Sequence, residues 1–230
     1  MATMIFERQE KKYLLTDTQK EQFLKRIAPY TEPDAYGAYT LSNLYFDNDW
    51  FGSIRRSIEK PVFKEKMRLR AYGTPGEEDR IYWELKKKYK KTGYKRRLVT
   101  TPPAMEAYLQ EGVPLPDSQT FRELDYVLRS QQLYPRLYLA YDREAYYAKE
   151  DRNIRFTFDR NIRWRWEDLD LTHGDHDCKV YPLPGNLLEL KVYYRMPLWL
   201  VEILTDLEIY PVSFSKYGKI FEMEGIIYAR

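Results

Sequence analysis

The chain has 230 residues, of which 43% are hydrophobic and 32% charged, and this predicts one folded, soluble domain with a sizeable core. Its 38 Lys and Arg nearly balance its 35 Asp and Glu, and the net charge of +3 excludes a protein that is basic throughout, so any anion site must come from where the charges lie. Cys178 is the only cysteine, the N-terminus lacks a signal-peptide pattern, and no run approaches the roughly 20 apolar residues of a membrane span, so we expect a cytoplasmic chain without disulfides.

Residue patterns in the first half of the chain predict strands joined by turns and short helices. The predicted strands are residues 5–15, 39–47, 62–72, 80–88 and 94–100. Thr16 predicts the start of a helix that runs to about Ile27, because Gln19 completes a capping box. A second helix is expected to begin at Thr101-Pro102 and to end at Gly112.

The second half repeats this mixture. Ser118 predicts the cap of a helix that ends near Gln132, Pro197 begins an amphipathic helix, and residues 215–224 are expected to form the last helix. The predicted strands are residues 134–147, 153–159 and 187–192, with 162–166 as an extension or a hairpin partner, and 167–186 is a polar loop. We expect a single α+β domain over residues 1–230: a closed antiparallel β-barrel of about eight strands with helices packed outside, because closure removes exposed strand edges.

Basic and apolar residues alternate in the strand that contains Lys66, Arg68 and Arg70, so these three side chains share one face. One such strand usually indicates a solvated sheet face. The pattern recurs on other strands, however, and the mid-strand cations are Lys12, Arg68, Arg70, Lys86, Lys95, Arg97, Arg143, Arg155 and Lys191. Inside a closed sheet these cations would repel one another, and unpaired burial costs several kcal/mol per ion. The pattern therefore predicts a bound polyanion such as a polyphosphate.

Four acidic residues share the charged register and offset part of the positive charge: Glu10, Glu84, Asp159 and Glu189. Glu189 is the best candidate for a metal ligand, because Mg²⁺ and Mn²⁺ combine carboxylates with phosphate oxygens. A salt bridge between Glu189 and a neighbouring arginine is the alternative.

Other motifs carry weaker signals. The segment from His173 to Cys178 contains residue types that bind transition metals, but its spacing matches no strong zinc pattern and favours an exposed polar loop. The lysine- and tyrosine-rich run 86–97 could bind nucleic acid, although such runs are usually solvated hairpins. No Walker-type phosphate loop is present.

Eight short motifs occur in an order that resembles the VTC domain, the catalytic core of the vacuolar transporter chaperone polyphosphate polymerase, within the CYTH-like triphosphate tunnel metalloenzymes. The motifs are ERQEKKY (7–13), LYFD (44–47), KMRLRAYG (66–73), WELK (83–86), YDREA (141–145), IRFTFD (154–159), LELK (188–191) and FSKY (214–217). The wider superfamily opens with Glu-x-Glu-x-Lys, and here Arg8 replaces the first Glu while Glu10 and Lys12 remain. This departure agrees with the polymerase branch rather than with a two-metal hydrolase.

The resemblance implies a tunnel that binds ATP and inorganic polyphosphate together with Mn²⁺ or Mg²⁺. It implies no nucleic acid as a partner, and it is compatible with a membrane-bound protein partner. The residues assigned to catalysis are Arg68, Arg70, Lys86, Arg143 and Arg155. Those assigned to phosphate binding are Lys12, Lys95, Arg97, Lys191, Ser215 and Lys216, and those assigned to the metal are Glu189 and Glu10. The expected reaction is transfer of the γ-phosphate of ATP to a polyphosphate chain, with two alternatives: hydrolysis of a triphosphate, or polyphosphate binding without catalysis.

Overall fold

The computed structural model describes residues 5, 6, 8–59, 61–90, 92–193 and 195–225. The strands are β1 (Ile5–Phe6), β2 (Arg8–Leu15), β3 (Thr31–Asp47), β4 (Phe63–Tyr72), β5 (Ile81–Tyr89), β6 (Thr92–Thr100), β7 (Tyr134–Ala148), β8 (Arg155–Arg165), β9 (Lys179–Val180), β10 (Asn186–Tyr193) and β11 (Pro211–Val212). The helices are α1 (Asp17–Ile27), α2 (Gly52–Ile58), α3 (Pro102–Glu111), α4 (Gln119–Ser130), α5 (Leu198–Asp206) and α6 (Lys216–Met223).

All strands pair antiparallel in one 11-stranded sheet, in the order β1-β6-β5-β4-β3-β7-β8-β10-β2-β11, with β9 paired to β8. Within the described part of the chain no ladder joins the two ends of this order, so the predicted closed barrel is not confirmed. The sheet is nevertheless strongly curled. Lys86 Nζ on β5 lies 3.1 Å from Glu10 Oε2 on β2, although these strands are far apart in the order. Only Glu7, which lies outside the described residues, separates β1 from β2 in sequence.

Local signals define most element boundaries. Thr16 Oγ1 accepts a hydrogen bond from Gln19 N over 3.1 Å and Gln19 Oε1 accepts one from Thr16 N over 3.0 Å, which confirms the predicted capping box. Gly112 ends α3 at a φ of +73°, a left-handed conformation that favours glycine. Residues 162–165 extend β8 instead of forming a hairpin partner. The N-cap residue of helix α2, Phe51, makes no side-chain cap hydrogen bond, and the sequence patterns did not indicate this helix.

The buried hydrophobic residues form three clusters, two on the outer face of the sheet and one on its inner face. On the outer face of β3 to β6, residues such as Met67, Leu69 and Trp83 pack under α3 and α4. A second outer cluster lies beneath α1 and α5. The third lies on the inner face of the sheet, where α2 and α6 pack against β3, β7 and β10 through residues such as Tyr217 and Phe221. Helices therefore cover the apolar outer faces, and α6 packs against one end of the inner face. Among the described residues no helix is long and apolar enough to cross a bilayer.

Candidate active site on the charged inner face

Strand β4 brings Lys66, Arg68 and Arg70 to the inner face, because alternate residues of a strand point to opposite sides. Their neighbours Met67, Leu69 and Ala71 are buried in the outer core. Pairing then aligns Arg68 with Glu84 on β5. The predicted common face of the basic residues is thus present.

Glu84 is the centre of the first charge cluster and is only 2% exposed. Its carboxylate receives Arg68 Nη2 at 2.7 Å, Lys95 Nζ at 2.6 Å and Arg97 Nη2 at 2.5 Å. Burial by itself would raise the pKa of Glu84, but nearby arginines and Lys95 hold it far below its usual value. One carboxylate thus faces three cations, and the cluster keeps a net positive charge.

The neighbouring Arg96 resolves the register of β6. Arg96 Nε lies 2.7 Å from Glu123 Oε2 on α4, outside the sheet, whereas Lys95 and Arg97 reach Glu84 on the inner face. The sequence assignment of Lys95 and Arg97 to the inner face is therefore confirmed.

A second cluster joins β7, β8, β10 and the start of α6. Arg143 forms a two-pronged ion pair with the buried Asp159, through Nε at 2.6 Å and Nη2 at 2.7 Å, and lies 3.3 Å from Glu189. Lys216 Nζ approaches Asp159 Oδ2 at 2.5 Å and Glu189 Oε1 at 3.1 Å. Lys12 Nζ lies 3.2 Å from the same Glu189 oxygen. Although burial opposes ionisation, Lys12, Lys216 and Arg143 keep the pKa of Glu189 well below its usual value, so this carboxylate is charged.

The inner-face cations Lys66, Arg70 and Lys191 have no described carboxylate within the 4.0 Å ion-pair distance. Arg70 is only 8% exposed and donates to two neutral groups, Asn43 Oδ1 at 2.9 Å and Tyr141 Oη at 3.0 Å. Burial lowers the pKa of Lys66 to about 7, helped by the nearby Lys12, and burial likewise lowers the pKa of Lys191 to about 7. The inner face therefore carries positive charge that its own carboxylates do not neutralise.

Exposure increases away from α6. Arg70, Arg143 and Lys216 are buried, whereas the side chain of Lys86 is 58% exposed and pairs with Glu10. Arg155 is half-exposed and pairs with Asp34 at 2.7 Å. The solvent exposure of the predicted residues thus increases along the inner face, from buried residues near α6 to exposed residues at the opposite rim.

The start of α6 contacts strands β2 and β4 through two lysines. Ser215 Oγ caps α6 by accepting from Gly218 N, and it also accepts from Lys66 Nζ at 3.0 Å. Lys12 Nζ donates to Phe214 O at 2.9 Å. The assignment by sequence missed Lys66, although its place in the alternating strand was a sufficient signal. It also missed Asn43 and Tyr141, because neutral side chains carry no charge pattern.

Glu10 and Glu189 are the two carboxylates that the sequence assigned to a divalent cation. They lie on paired strands, and both carboxylates lie near Lys12 Nζ, at 3.7 and 3.2 Å. Burial opposes the ionisation of Glu10, but neighbouring lysines, chiefly Lys86, lower its pKa to about 2. The described residues include no group of three or more His, Cys, Asp or Glu that could hold a metal by itself. Two carboxylates completed by phosphate oxygens and water suit Mg²⁺ or Mn²⁺, so the donor set fits.

The loop from His173 to Cys178 does not form a metal centre among the described residues. His173 is exposed and its Nδ1 lies 2.5 Å from Asp168 Oδ1. The exposure of His173 agrees with the interpretation of the segment as a polar loop.

Comparisons with known proteins agree with this fold. The family model of the VTC domain matches residues 7–223. Vacuolar transporter chaperone complex subunit 4 of Trypanosoma brucei brucei is 24% identical to this chain over an alignment of 273 residues. The alignment covers 95% of this chain but only 34% of that protein, so this chain spans about a third of its relative's length.

Two solved structures, putative adenylate cyclases from Bacillus halodurans and Hippeastrum, each share 13% identity at a TM-score of 0.54. The match to the Bacillus protein covers 94% of this chain and 96% of that protein. The match to the Hippeastrum protein covers 96% of each chain. At this identity they establish a common fold. Because the family model extends over almost the whole chain, this protein belongs to the VTC domain family.

Proposed function

We propose that this chain is a polyphosphate polymerase that transfers the γ-phosphoryl group of ATP to the end of a polyphosphate chain. The observation that carries the proposal is the set of inner-face cations without a described carboxylate partner: Lys66, Arg70 and Lys191. A string of phosphates would neutralise them, since each phosphate accepts several charge-assisted hydrogen bonds. Membership of the VTC domain family and the likeness to a vacuolar transporter chaperone subunit support the same substrate.

The reaction requires positioning and charge neutralisation more than proton transfer. A terminal oxygen of the acceptor chain bonds to the γ-phosphorus, the bond from that phosphorus to the β–γ bridging oxygen breaks, and ADP leaves with the electron pair. The acceptor oxygen is already anionic, so no general base is needed. Arg68, Arg70 and Arg143 would hold phosphate oxygens, because the planar guanidinium group binds two oxygens at once.

Lysines and the metal ligands complete the proposed site. Lys12, Lys86 and Lys216 would neutralise donor and acceptor, and Glu189 with Glu10 would hold Mg²⁺ or Mn²⁺. When bound, the metal supplies charge neutralisation of the transferring group. We propose the cytoplasm as the compartment, and a membrane-bound partner is compatible with this proposal.

Hydrolysis is the second candidate. The Hippeastrum protein with the same fold is described as having a dominant triphosphatase activity. A hydrolase would use water as acceptor and release orthophosphate. A polyphosphate-binding protein without catalysis would use the same cations and show no turnover.

One incubation separates these candidates. The purified chain is mixed with ATP and Mn²⁺, and the products are examined for polyphosphate on a stained gel and for orthophosphate in solution. Long chains support the polymerase, whereas orthophosphate alone indicates a triphosphatase. Polyphosphate that raises the melting temperature without any turnover indicates a binding protein. Arg122→Ala is a matched control, because this arginine is exposed on the outer helix α4 and should not alter the product.

A further inference from the structure

A row of tyrosines continues the inner face beyond its charged part. The ring centroids of Tyr39 and Tyr72 lie 5.7 Å apart, those of Tyr72 and Tyr82 5.8 Å apart, and Tyr36 lies 6.4 Å from Tyr39. Register places this row beside the cations. Tyr39 pairs with Arg143, Tyr82 pairs with Arg70, and Tyr72 follows Arg70 by two residues on the same face of β4.

Two tyrosines of the row are exposed to solvent. Tyr72 is 52% exposed and Tyr36 is 79% exposed, whereas Tyr141 and Tyr217 at the α6 end of the same face are buried. Aromatic cross-strand pairs stabilise a sheet, but that role does not explain flat apolar surface left in water next to a cationic site. The rings also stand too close together to admit another planar ring between them. A ligand ring would therefore lie on the exposed surface of Tyr72.

Arg97 connects the tyrosine row to the phosphate-binding surface. Its guanidinium carbon lies 4.5 Å from the centroid of the Tyr82 ring, while its nitrogens bind Glu84 in the first charge cluster. Two residues of a strand span about 6.6 Å, so Tyr72, Arg70 and Arg68 form an evenly spaced line along β4. A nucleoside triphosphate laid along this line would place its base at Tyr72 while its phosphates lie beside Arg70 and Arg68.

We propose that this row, centred on Tyr72, binds the nucleobase of the phosphate donor and so distinguishes a nucleoside triphosphate from an inorganic one. The inference rests on the proposed function, because it assigns the donor of that reaction. Stacking on an aromatic side chain tolerates any base, so purine and pyrimidine triphosphates should both use the row. Inorganic polyphosphate has no base and should not depend on it.

The test compares the binding of ATP and of inorganic tripolyphosphate by calorimetry, at one Mg²⁺ concentration and one pH. Tyr72→Ala is expected to weaken ATP binding about fivefold to tenfold, the low end for loss of one stacked base, and to leave tripolyphosphate binding within about twofold. Tyr72→Phe keeps the ring and should keep ATP affinity. Tyr72→Leu retains apolar bulk and should behave like Tyr72→Ala, which provides a second variant if the alanine protein folds poorly. Tyr126→Ala is the matched control, because this tyrosine is 71% exposed on α4, outside the sheet.

A purely structural role for Tyr72 would lower the melting temperature and change both affinities by the same factor, and this result would overturn the inference. Unchanged ATP binding in a folded Tyr72→Leu protein would also overturn it. If the unaltered protein bound neither ligand, the proposed function itself would fail. If it bound both ligands and Tyr72 did not discriminate between them, only the base site would fail.

Discussion

Lys66 Nζ donates a hydrogen bond to Ser215 Oγ over 3.0 Å, and the same oxygen accepts from Gly218 N at the start of α6. The neutral hydroxyl group of Ser215 accepts a hydrogen bond from the Lys66 ammonium group but does not neutralise its charge. Burial and the nearby Lys12 therefore lower the pKa of Lys66 to about 7. The hydrogen bond between Lys66 and Ser215 thus places an amine with a pKa near neutral at the α6 end of the inner face.

Polyphosphate binding should take up protons above pH 7. The pKa values of Lys66 and Lys191 are lowered from 10.5 to about 7. At pH 7 and above, these two amines are therefore partly deprotonated in the ligand-free protein. A bound polyanion favours their charged form, so binding takes up protons. We expect affinity to fall as pH rises from 7 to 9, and calorimetry at pH 8 in buffers of different ionisation enthalpy measures the uptake. Lys66→Met should reduce the uptake, whereas Lys25→Met on the exposed part of α1 should not. Equal affinity at pH 7 and pH 9 would contradict this.

The same shifts contribute to the pH dependence of the stability of the ligand-free protein. The unfolded lysines bind more protons than the folded ones between pH 7 and 10.5, so the free energy of unfolding should rise with pH from 7 towards 9. Urea unfolding at pH 7 and pH 9 measures this contribution. It should shrink in Lys66→Met, and a contribution of the same size in that variant would argue against the assignment.

Arg70→Met should remove activity while leaving the protein folded. The guanidinium group donates to Asn43 and Tyr141 and has no described carboxylate partner, so its removal leaves no unpaired buried acid. Asn43 keeps its hydrogen bonds to the carbonyl groups of Leu41 and Leu139. We expect polyphosphate synthesis to fall at least ~100-fold, as for loss of a group that stabilises transition-state charge. Asn43 Oδ1 and Tyr141 Oη lose a buried donor, so the free energy of unfolding should fall by about 1–3 kcal/mol. Initial rates and urea unfolding test both parts, and normal synthesis would refute the assignment.

Glu189→Gln should separate anion binding from catalysis. Glu189 neutralises part of the charge of Lys12, Arg143 and Lys216, so metal-free binding of polyphosphate should become tighter when that negative charge is lost. Synthesis should stop, because the proposed metal ligand is missing. Glu189→Ala should also lose activity, and it should be less stable because three cations then lose one of their carboxylate partners. A glutamine variant that synthesises polyphosphate normally would remove Glu189 from the metal site.

Asp159→Asn should strongly destabilise the fold. Asp159 is fully buried and binds both Arg143 and Lys216, and breaking a buried ion pair typically costs about 3–5 kcal/mol. Asp206→Asn is the matched control, because its pair with Arg26 on the surface should contribute about 1 kcal/mol or less. Urea unfolding at pH 7 compares the two. Equal losses would show that the buried cluster does not hold β7, β8 and α6 together.

Sequence patterns were sufficient to predict most of the secondary structure. The capping box at Thr16 and the glycine that ends α3 act through neighbouring backbone groups, so a few residues determine them. The common face of Lys66, Arg68 and Arg70 follows from the two-residue period of a strand in the same way. Helix α2 was missed because its N-cap residue, Phe51, has no side chain that can accept a hydrogen bond. Its first amides, those of Ser53 and Ile54, donate instead to Asp47, which lies four residues before the N-cap.

By itself, the sequence determined which side chains share a face, which residues cap helices, and which family the chain resembles, because each of these depends on short-range spacing or on ordered motifs. Only the tertiary structure decided which charges meet. Lys86 reaches Glu10 and Lys216 reaches Asp159 because the sheet curls and α6 packs against its inner face. It also decided that Arg70 has only neutral partners while Arg143 has two carboxylates. The physical reason is that ion pairing depends on distances of a few ångströms between residues far apart in the chain, and alternation within one strand does not contain those distances.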